Sequence, residues 1–307
     1  MENILIIKHG ALGDFVQSLG AMASIRLHHP KAKITLLTTK PMESLASACP
    51  YIDEVWIDAR AKIFQPLRWW PLLKKLRSAK WKRVYDLQTS KRSSFYFHLL
   101  PNPKPEWSGI AKGCSHPQLG AARHSMHTLD RLHDQLRLAG IATVPPPDLS
   151  WLKADIAHFA LKPPYILLVP GGSSHRPEKR WPAEYYGELA KILSGQGYTM
   201  ALLGGQDDQE AIDTIIRIAP KARSLAGRTS YAQLAELGRN AKAALGNDTG
   251  PLHLLSLAGC STIALFSRAS DPARCGQRGR RVEIFRENNL KDLAVARVIK
   301  KLQELLA

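Results

Sequence analysis

The 307-residue chain has few cysteines, no long apolar run and too few acids to balance its bases. Its four cysteines are scattered without a CxxC pair, which argues against a disulfide framework or a zinc knuckle and predicts free thiols. The longest charge-free apolar stretch, 251–267, is interrupted by polar residues and falls short of the roughly 20 residues of a membrane span. The acid at Glu2 and the short apolar run after it do not fit a signal peptide. We therefore expect a cytoplasmic protein without a transmembrane helix.

The shortage of acids leaves a formal net charge of +17, from 43 Lys and Arg against 26 Asp and Glu. Such a surplus implies an anionic partner, which is a nucleic acid, an anionic membrane surface or a phosphorylated substrate. The bases are concentrated in residues 65–92, where nine bases and three tryptophans accompany one acid, Asp86. This basic segment is either a solvated helix face or, because bases beside tryptophans suit the lipid headgroup region, a contact with an anionic bilayer. Single-strand nucleic-acid binding is the third alternative.

Short apolar runs alternate with helical patterns along the whole chain, which is typical of parallel sheets covered by helices. The first strand, 4–7, leads through a loop into one helical pattern over 15–25, and a basic helix is predicted over 67–79. After the proline run at 145–147, a stiff connector, the pattern restarts. We therefore expect two Rossmann-like α/β domains, 1–148 and 149–307, with a last helix that could pack back on the N-terminal domain.

In such sheets, ligands bind in the crevice beyond the carboxyl ends of the strands, so the loops after strands are the candidate sites. The first of these loops, 8–14, contains Gly13 and Asp14 but not the GxGxxG spacing of a dinucleotide site. This disfavours a dehydrogenase or an epimerase on a similar sheet. Asp14 has two interpretations, as the N-cap of the following helix or as a carboxylate that faces the crevice and serves as a general base.

A second loop, 170–174, reads PGGSS and contains Gly171, Gly172 and Ser173, and the next helix is preceded by Lys179 and Arg180. Small residues with free backbone N–H groups, followed by two cations, are typical of a phosphate site. The P-loop pattern GxxxxGK[ST] is absent. The alternative is an ordinary turn with surface cations.

A third loop contains Asp248, Thr249 and Gly250 at the start of a helix, with His253 one turn later. Unsatisfied N–H groups at such a helix start bind phosphate with help from the helix dipole, and His253 could donate to the same anion. Asp248 and Thr249 could instead only cap the helix, and a lone helical histidine is often structural.

A fourth loop contains Asp207 and Asp208, again directly after a strand. Acids at this place could accept hydrogen bonds from ribose hydroxyls, as in other nucleotide-binding folds. The alternative is that both residues only cap the helix that follows.

Three of these motifs, ALGD after the first strand, PGGSS followed by KRWP, and GNDTGPLHL, together resemble glycosyltransferase family 9, the heptosyltransferase family. Their order and spacing cover both domains. The resemblance implies a two-domain GT-B fold with the acceptor on the N-terminal domain and the nucleotide sugar on the C-terminal domain. It also implies an inverting transfer that needs neither a metal ion nor another cofactor, typically of heptose from ADP-heptose to the lipopolysaccharide core. In agreement, the sequence has no DxD-like metal-ligand cluster.

By the same resemblance, Asp14 would be the catalytic base that takes the proton of the acceptor hydroxyl, and Lys179 would neutralise the departing diphosphate. The expected substrate-binding residues are Gly13, Gly171, Gly172, Ser173, Arg180, Asp207, Asp208, Asp248, Thr249, Gly250 and His253. The choice of Asp207, Asp208 or Glu210 for the ribose stays open, and residues 101–125 match nothing in the family pattern.

The partners expected on this basis are a nucleotide sugar, an anionic glycolipid acceptor and the anionic inner face of the cytoplasmic membrane. Nucleic acid is not expected, because no RNP motif, zinc finger or helix-turn-helix signature is present. Two alternatives remain, a non-catalytic GT-B protein that only binds a sugar nucleotide and a family member that uses another nucleotide sugar.

Overall fold

The computed structural model describes residues 1–62, 65–172 and 175–306. The chain divides into two compact α/β units, Met1–Trp151 and Leu152–Ala307, shortly after the proline run. Each unit contains one six-stranded parallel sheet, and helices connect most of the successive strands. The fold class predicted from the sequence, two Rossmann-like parallel-sheet domains, is thereby confirmed.

The elements of the first unit follow each other in βα order. Its strands are β1 Asn3–Ile7, β2 Lys33–Thr38, β3 Glu54–Ile57, β4 Trp81–Asp86, β5 Glu106–Gly109 and β6 His116–Pro117. Its helices are α1 Leu12–Gln17, α2 Leu19–His28, α3 Glu43–Ser47, α4 Pro66–Ser78, α5 Lys91–Leu99 and α6 Thr128–Leu138. Short 3-10 helices lie at Lys40–Met42 and Ala121–His124.

The sheet of the first unit has the strand order β3-β2-β1-β4-β5-β6, and all its pairs are parallel. The chain moves outward from β1 to β3 and then returns to place β4 on the other side of β1. Ile7 pairs with Asp86, so β1 and β4 end at the same edge of the sheet. This reversal of direction opens a crevice between the carboxyl ends of β1 and β4.

Local sequence explains most of these elements. Strand β1 is buried along Ile4–Ile7, and α4 agrees with the predicted basic helix to within a residue at each end. The single helix predicted over 15–25 is wrong, because Ser18 separates α1 from α2. The Ser18 hydroxyl donates to the Phe15 carbonyl at 2.6 Å, and this hydrogen bond completes the last turn of α1.

The second unit repeats the βα pattern. Its strands are β7 Tyr165–Val169, β8 Thr199–Leu202, β9 Arg223–Ser224, β10 Ala243–Asn247, β11 Thr262–Phe266 and β12 Val282–Arg286. Its helices are α7 Ala183–Gly195, α8 Gln209–Ile218, α9 Tyr231–Asn240, α10 Gly250–Leu257, α11 Pro272–Cys275 and α12 Val295–Leu306. Short 3-10 helices lie at Ala157–Phe159, Pro177–Lys179, Gln206–Asp208 and Leu290–Asp292.

The sheet of the second unit has the strand order β12-β11-β10-β7-β8-β9 and places its reversal between β7 and β10. The last helix, α12, packs against α7 and β10 of this same unit. Its residues Val298, Leu302 and Leu305 are buried in the core that covers one face of the sheet. Within the described ranges, no helix is long and apolar enough to cross a membrane.

Candidate functional site

The crevice of the second unit lies where β7 and β10 end side by side. Gly246, the fourth residue of β10, makes this close approach possible, because a Cβ at that position would lie only 2.6 Å from the Cβ of Val169. The loop after β7 carries Gly171 and Gly172, and the loop after β10 carries Asp248 and Thr249. The structure therefore brings the second and third sequence motifs to one sheet edge.

Asn247, the last residue of β10, holds these loops together. Its side chain is fully buried and donates to the carbonyls of Pro170 at 2.7 Å and Gly171 at 3.0 Å. Its Oδ1 accepts the backbone N–H of Trp181 at 3.0 Å and lies 3.1 Å from the Tyr186 hydroxyl. One amide thus fixes the loop after β7 and the start of α7 relative to β10.

Lys179, Asp248 and His253 form a charged cluster at this edge. The ammonium of Lys179 donates to Asp248 Oδ2 at 2.7 Å, and His253 Nε2 lies 3.8 Å from Asp248 Oδ1. All three side chains are largely buried. Burial alone would raise the pKa of Asp248, but the neighbouring His253 and Lys179 outweigh it and lower that pKa to about 2. Asp248 is therefore ionised at neutral pH and keeps a lysine ammonium at the crevice.

Arg180 and Asp208 connect the loop after β7 with the loop after β8. Arg180 donates to the Gly172 carbonyl at 2.6 Å and lies 3.6 Å from Asp208 Oδ1, while Asp208 Oδ2 accepts the Gly205 N–H at 2.9 Å. A Cβ on Gly171 would lie 2.3 Å from Asp208 Oδ2, so the absence of a side chain there is what lets the carboxylate come this close. Asp208 closes the 3-10 turn at Gln206–Asp208 by accepting the Gly205 N–H, but as the N-cap residue of α8 it makes no side-chain capping bond to that helix.

The remaining predicted residues of this unit differ in their surroundings. Thr249 is the N-cap residue of α10, but its side chain makes no capping bond, and its buried Oγ1 has no hydrogen-bond partner among the described residues. Gly250 is the first residue of α10. Asp207 is exposed, and the described part of the chain offers it no hydrogen-bonding partner. Ser173 lies outside the described residues.

In the first unit, Asp14 lies in the first turn of α1, directly after the buried Gly13. The N-cap of α1 is Ala11, so the interpretation of Asp14 as the N-cap is wrong. The Asp14 carboxylate is partly exposed and makes no hydrogen bond or ion pair with any residue that the structure describes. The hydrogen-bonding capacity of this carboxylate is therefore not used by any residue that the structure describes.

Lys8 and Asp86 lie at the ends of β1 and β4, next to Asp14 in the same crevice. Lys8 is 3% exposed and donates to the Leu87 carbonyl at 3.3 Å. Burial lowers the pKa of Lys8, and the charges of Asp14 and Asp86 act against this shift. Burial raises the pKa of Asp86 to about 6, although the N–H groups of Gln88 and Thr89 donate to its Oδ1. The sequence analysis did not identify this buried pair.

A second buried network fixes the loop that leads to Asp14. Asp58, at the end of β3, forms a two-bond ion pair with Arg92 and accepts the Tyr96 hydroxyl. His9 Nε2 lies 3.6 Å from Asp58, and burial lowers the pKa of His9 to about 4. This histidine is therefore neutral at neutral pH and contributes packing rather than charge.

The described residues contain no group of three His, Cys, Asp or Glu side chains that could hold a metal ion. Asn247 and Asp86 are the important residues that sequence reasoning missed. Each lies at the end of a central strand, and that position in the sequence could have indicated a residue of the crevice.

Comparison with known proteins agrees with this geometry. The family model of glycosyltransferase family 9 (heptosyltransferase) matches residues 69–303. Lipopolysaccharide heptosyltransferase 2 of Salmonella typhimurium is 26% identical over 302 residues, covering 87% of this chain and 83% of the relative. The same-named enzyme of Escherichia coli is 24% identical over 308 residues, with the same coverage of both chains.

Two solved structures share the fold over almost their full length. The structure of E. coli ADP-heptose LPS heptosyltransferase II covers 100% of this chain and 98% of its own, with a TM-score of 0.81 at 23% identity. E. coli heptosyltransferase WaaC with ADP covers 99% of both chains, with a TM-score of 0.78 at 19% identity. The predicted GT-B architecture and the predicted family are confirmed. Because the family model matches most of the chain, this protein belongs to glycosyltransferase family 9, the heptosyltransferase family.

Proposed function

We propose that this glycosyltransferase transfers heptose from ADP-heptose to a lipopolysaccharide-core or related glycolipid acceptor with inversion at the anomeric carbon. The observation that carries the proposal is the distribution of charge between the two crevices. The second unit presents Lys179, held by Asp248 beside a helix start, and the first unit presents the unpartnered Asp14 carboxylate. These are the two groups that a direct displacement requires, a leaving-group cation and a base.

Asp14 is the proposed catalytic base. Its carboxylate accepts the proton of the acceptor hydroxyl while that oxygen attacks the anomeric carbon of the sugar. The bond between this carbon and the phosphate oxygen breaks in the same step, and its electron pair leaves with the diphosphate. Because attack and departure occur on opposite faces, a single displacement inverts the anomeric carbon. Gly13, buried and without a side chain, lets the acceptor approach this carboxylate.

Lys179 is the proposed stabiliser of the leaving diphosphate. One N–H of its ammonium is used by Asp248 at 2.7 Å, and two remain for phosphate oxygens. Thr249 and Gly250 at the start of α10 offer a buried hydroxyl and backbone N–H groups to the same anion. His253, Arg180 and the small residues of the loop after β7 complete the set. In this proposal the full group is Lys179, Arg180, Gly171, Gly172, Ser173, Asp248, Thr249, Gly250 and His253.

The ribose of the donor is assigned to the loop after β8. Asp208 is engaged with Gly205 and Arg180, whereas Asp207 is exposed and is a second acceptor for ribose hydroxyls. The acceptor is assigned to the crevice of the first unit. Because that acceptor is an anionic lipid, we place the protein at the cytoplasmic face of the membrane, in peripheral contact with it.

The test of the base is Asp14→Asn, which removes the proton acceptor and keeps the shape of the side chain. We expect transfer from ADP-heptose to fall about 100-fold or more, as is usual for loss of a general base. Thermal stabilisation by ADP should stay as in the unmodified protein, because ADP stabilises the native state through the second unit. Asp130→Asn is the matched control, since Asp130 is also an acid in the first turn of a helix of the first unit. Equal transfer by Asp14→Asn and the control would refute the assigned base.

The donor is tested with a panel of nucleotides in the same thermal assay. We expect a shift with ADP and ADP-heptose that is lost in Lys179→Met. A shift with UDP, GDP or TDP compounds in place of ADP would refute the ADP-heptose assignment and leave the family membership intact. If no nucleotide stabilises the protein, the non-catalytic alternative is favoured.

A further inference from the structure

The basic segment of the first unit separates into residues used inside the fold and residues left on its surface. Three of its cations are paired with acids, Lys82 with Glu2, Arg83 with Glu106 and Arg92 with Asp58. Its tryptophans divide in the same way. Trp81 is buried and donates to the Leu76 carbonyl, and Trp69 is held by a bond to the Lys62 carbonyl and by the Arg92 guanidinium stacked on it. These cations and tryptophans therefore serve contacts within the first unit.

Helix α4, Pro66–Ser78, carries side chains of the basic segment that do not pack against the rest of the first unit. Its inner side buries Leu72 and Leu76 in the core of the first unit. On the outer side, Leu67 is 88% exposed and Trp70 is 65% exposed, among the most exposed large apolar side chains of the described chain. Lys74 follows at helical spacing from both, so the three residues share one face of the helix.

The charge around this face has one sign. Helix α4 contains no acid, and Arg68 and Lys74 are exposed without an ion-pair partner among the residues described. The adjoining helix α5 adds an exposed cation, Lys91, and a half-exposed ring, Phe95, which contacts the Trp69 ring at 5.7 Å between centroids. The α4 face, defined as Leu67, Arg68, Trp70 and Lys74, thus combines exposed apolar area with unneutralised positive charge.

We propose that the α4 face docks the protein on an anionic bilayer, with Leu67 and Trp70 between lipid headgroups and with Arg68 and Lys74 against lipid phosphates. This inference deepens the proposed function and rests on it, because a lipid-linked acceptor requires an enzyme at the membrane surface. A helix of 13 residues with exposed cations lies along a bilayer rather than across it. A second copy of the chain is the less suitable occupant, because a symmetric contact would bring Arg68 and Lys74 near their own copies.

The experiment is co-sedimentation of the full chain with vesicles of phosphatidylglycerol and phosphatidylcholine, compared with vesicles of phosphatidylcholine alone. We expect binding only to the anionic vesicles and a loss of binding at high salt, because the surface potential is screened. Arg68→Gln/Lys74→Gln should weaken binding about 25-fold, at about fivefold for each cation removed from the surface. Lys221→Gln/Arg228→Gln, which removes two exposed cations of the second unit, is the charge-matched control and should bind as the unmodified chain does.

The apolar contribution is tested by Leu67→Ser/Trp70→Ser, with Leu27→Ser as the control for loss of an exposed leucine outside the α4 face. We expect the double variant to lose most of its vesicle binding at unchanged melting temperature. Lipids carrying a quencher should quench the fluorescence of the unmodified chain, and Trp70→Phe should remove most of that quenching. Equal binding to neutral vesicles, equal losses in the controls, or a concentration-dependent dimer that the double variant abolishes would overturn the inference.

The failure of this inference can be distinguished from failure of the proposed function. With a deacylated, water-soluble acceptor, the α4-face variants should transfer sugar at the rate of the unmodified protein. Normal transfer together with absent vesicle binding overturns only the membrane contact. Absence of both transfer and the ADP-induced shift overturns the proposed function itself.

Discussion

The two units repeat one strand order, yet the pKa values of the carboxylates at the end of their fourth strands are shifted in opposite directions. Asp86 ends β4 and Asp248 follows β10, and each lies beside the end of the central first strand of its unit. Burial raises the pKa of Asp86 to about 6. Asp248 is also buried, but its neighbours His253 and Lys179 lower its pKa to about 2. Topology therefore sets where a carboxylate lies, and the balance between its burial and its charged partners sets the direction in which its pKa is shifted.

The lysines of the two crevices explain the contrast. Lys179 reaches Asp248 directly at 2.7 Å and leaves hydrogen-bonding capacity for a ligand. Lys8 is buried in the first unit and donates to the Leu87 carbonyl, and it forms no ion pair with Asp86 in the described part of the chain. The second unit thus presents a charged pair suited to an anion. In the crevice of the first unit, Lys8 and Asp86 are buried and Asp14 is partly exposed.

Among the substitutions that test this comparison, Asn247→Leu is expected to change the free energy of unfolding most. The change leaves the Trp181 N–H and the carbonyls of Pro170 and Gly171 buried without their partner. At about 1–3 kcal/mol for each unsatisfied group, the free energy of unfolding should fall by about 3 kcal/mol or more, measured by denaturant unfolding.

In the first unit, the residue that corresponds to Asn247 is Gln88. Its side-chain amide makes one hydrogen bond to a loop, by accepting the His9 N–H at 2.9 Å. Gln88→Leu should cost about 1 kcal/mol, because a single partly exposed group loses its partner. If the two substitutions cost the same, the amide of Asn247 does not organise its crevice in the way the contacts indicate.

A second test uses pH to separate the two carboxylates. The folded pKa of Asp86, about 6, lies above its ordinary value of 3.8, so its contribution to stability is present below about pH 4 and is lost as the pH rises through 6. The loss amounts to about 3 kcal/mol at neutral pH. Asn cannot ionise, so Asp86→Asn avoids this loss of stability. The melting temperature of the variant minus that of the unmodified protein should therefore rise between about pH 4 and 6.

Asp248→Asn should behave in the opposite sense. The folded pKa of Asp248, about 2, lies below 3.8, so its contribution of about 2 kcal/mol is present above about pH 4 and is lost as the pH falls through 2. The variant should therefore be less stable than the unmodified protein at neutral pH, and the difference should close on acidification. Parallel pH curves for the two variants would contradict the electrostatic contrast.

The smallest expected effect is a change in ADP affinity when the shape of the second crevice is altered. Gly171→Ala places a methyl group at the position of the Asp208 carboxylate and should weaken ADP binding about tenfold, or about 1.4 kcal/mol, by calorimetry. Gly195→Ala is the matched control, since Gly195 lies outside the proposed donor site and a Cβ there would meet no atom within 4 Å. In the background of Asp208→Ala, Gly171→Ala should have little further effect, because the obstacle is gone. Additive losses would indicate that the glycine has another role.

Much of the architecture and of the second crevice could be predicted because the relevant signals are local. Apolar strands followed by glycines or acids indicate loops at the carboxyl edge of a parallel sheet, and this places the segments around Gly171 and Asp248 at one edge without any structure. The motif resemblance identified the family for the same reason, since each motif is contiguous in sequence.

What could not be predicted depends on contacts between distant residues. β5 and β6 are short strands within the region that matched nothing, and their place comes from the pairing of β5 with β4 and of β6 with β5 rather than from their own periodicity. The ties of Asn247 to Pro170 and Trp181 span more than sixty positions. The division of the basic segment into paired cations and the α4 face likewise depends on acids far along the chain, such as Glu2 and Asp58.

The ties made by Asn247 also bear on the thermodynamics of ligand association. Because they exist in the unliganded chain, the backbone of Pro170 and Gly171 is held in place during folding, and its conformational entropy is not lost again when a nucleotide arrives. A ligand that meets an assembled crevice needs little rearrangement of the backbone around it. The entropic penalty of donor binding is then confined to the ligand itself and to the few side chains, such as Lys179, that exchange one partner for another.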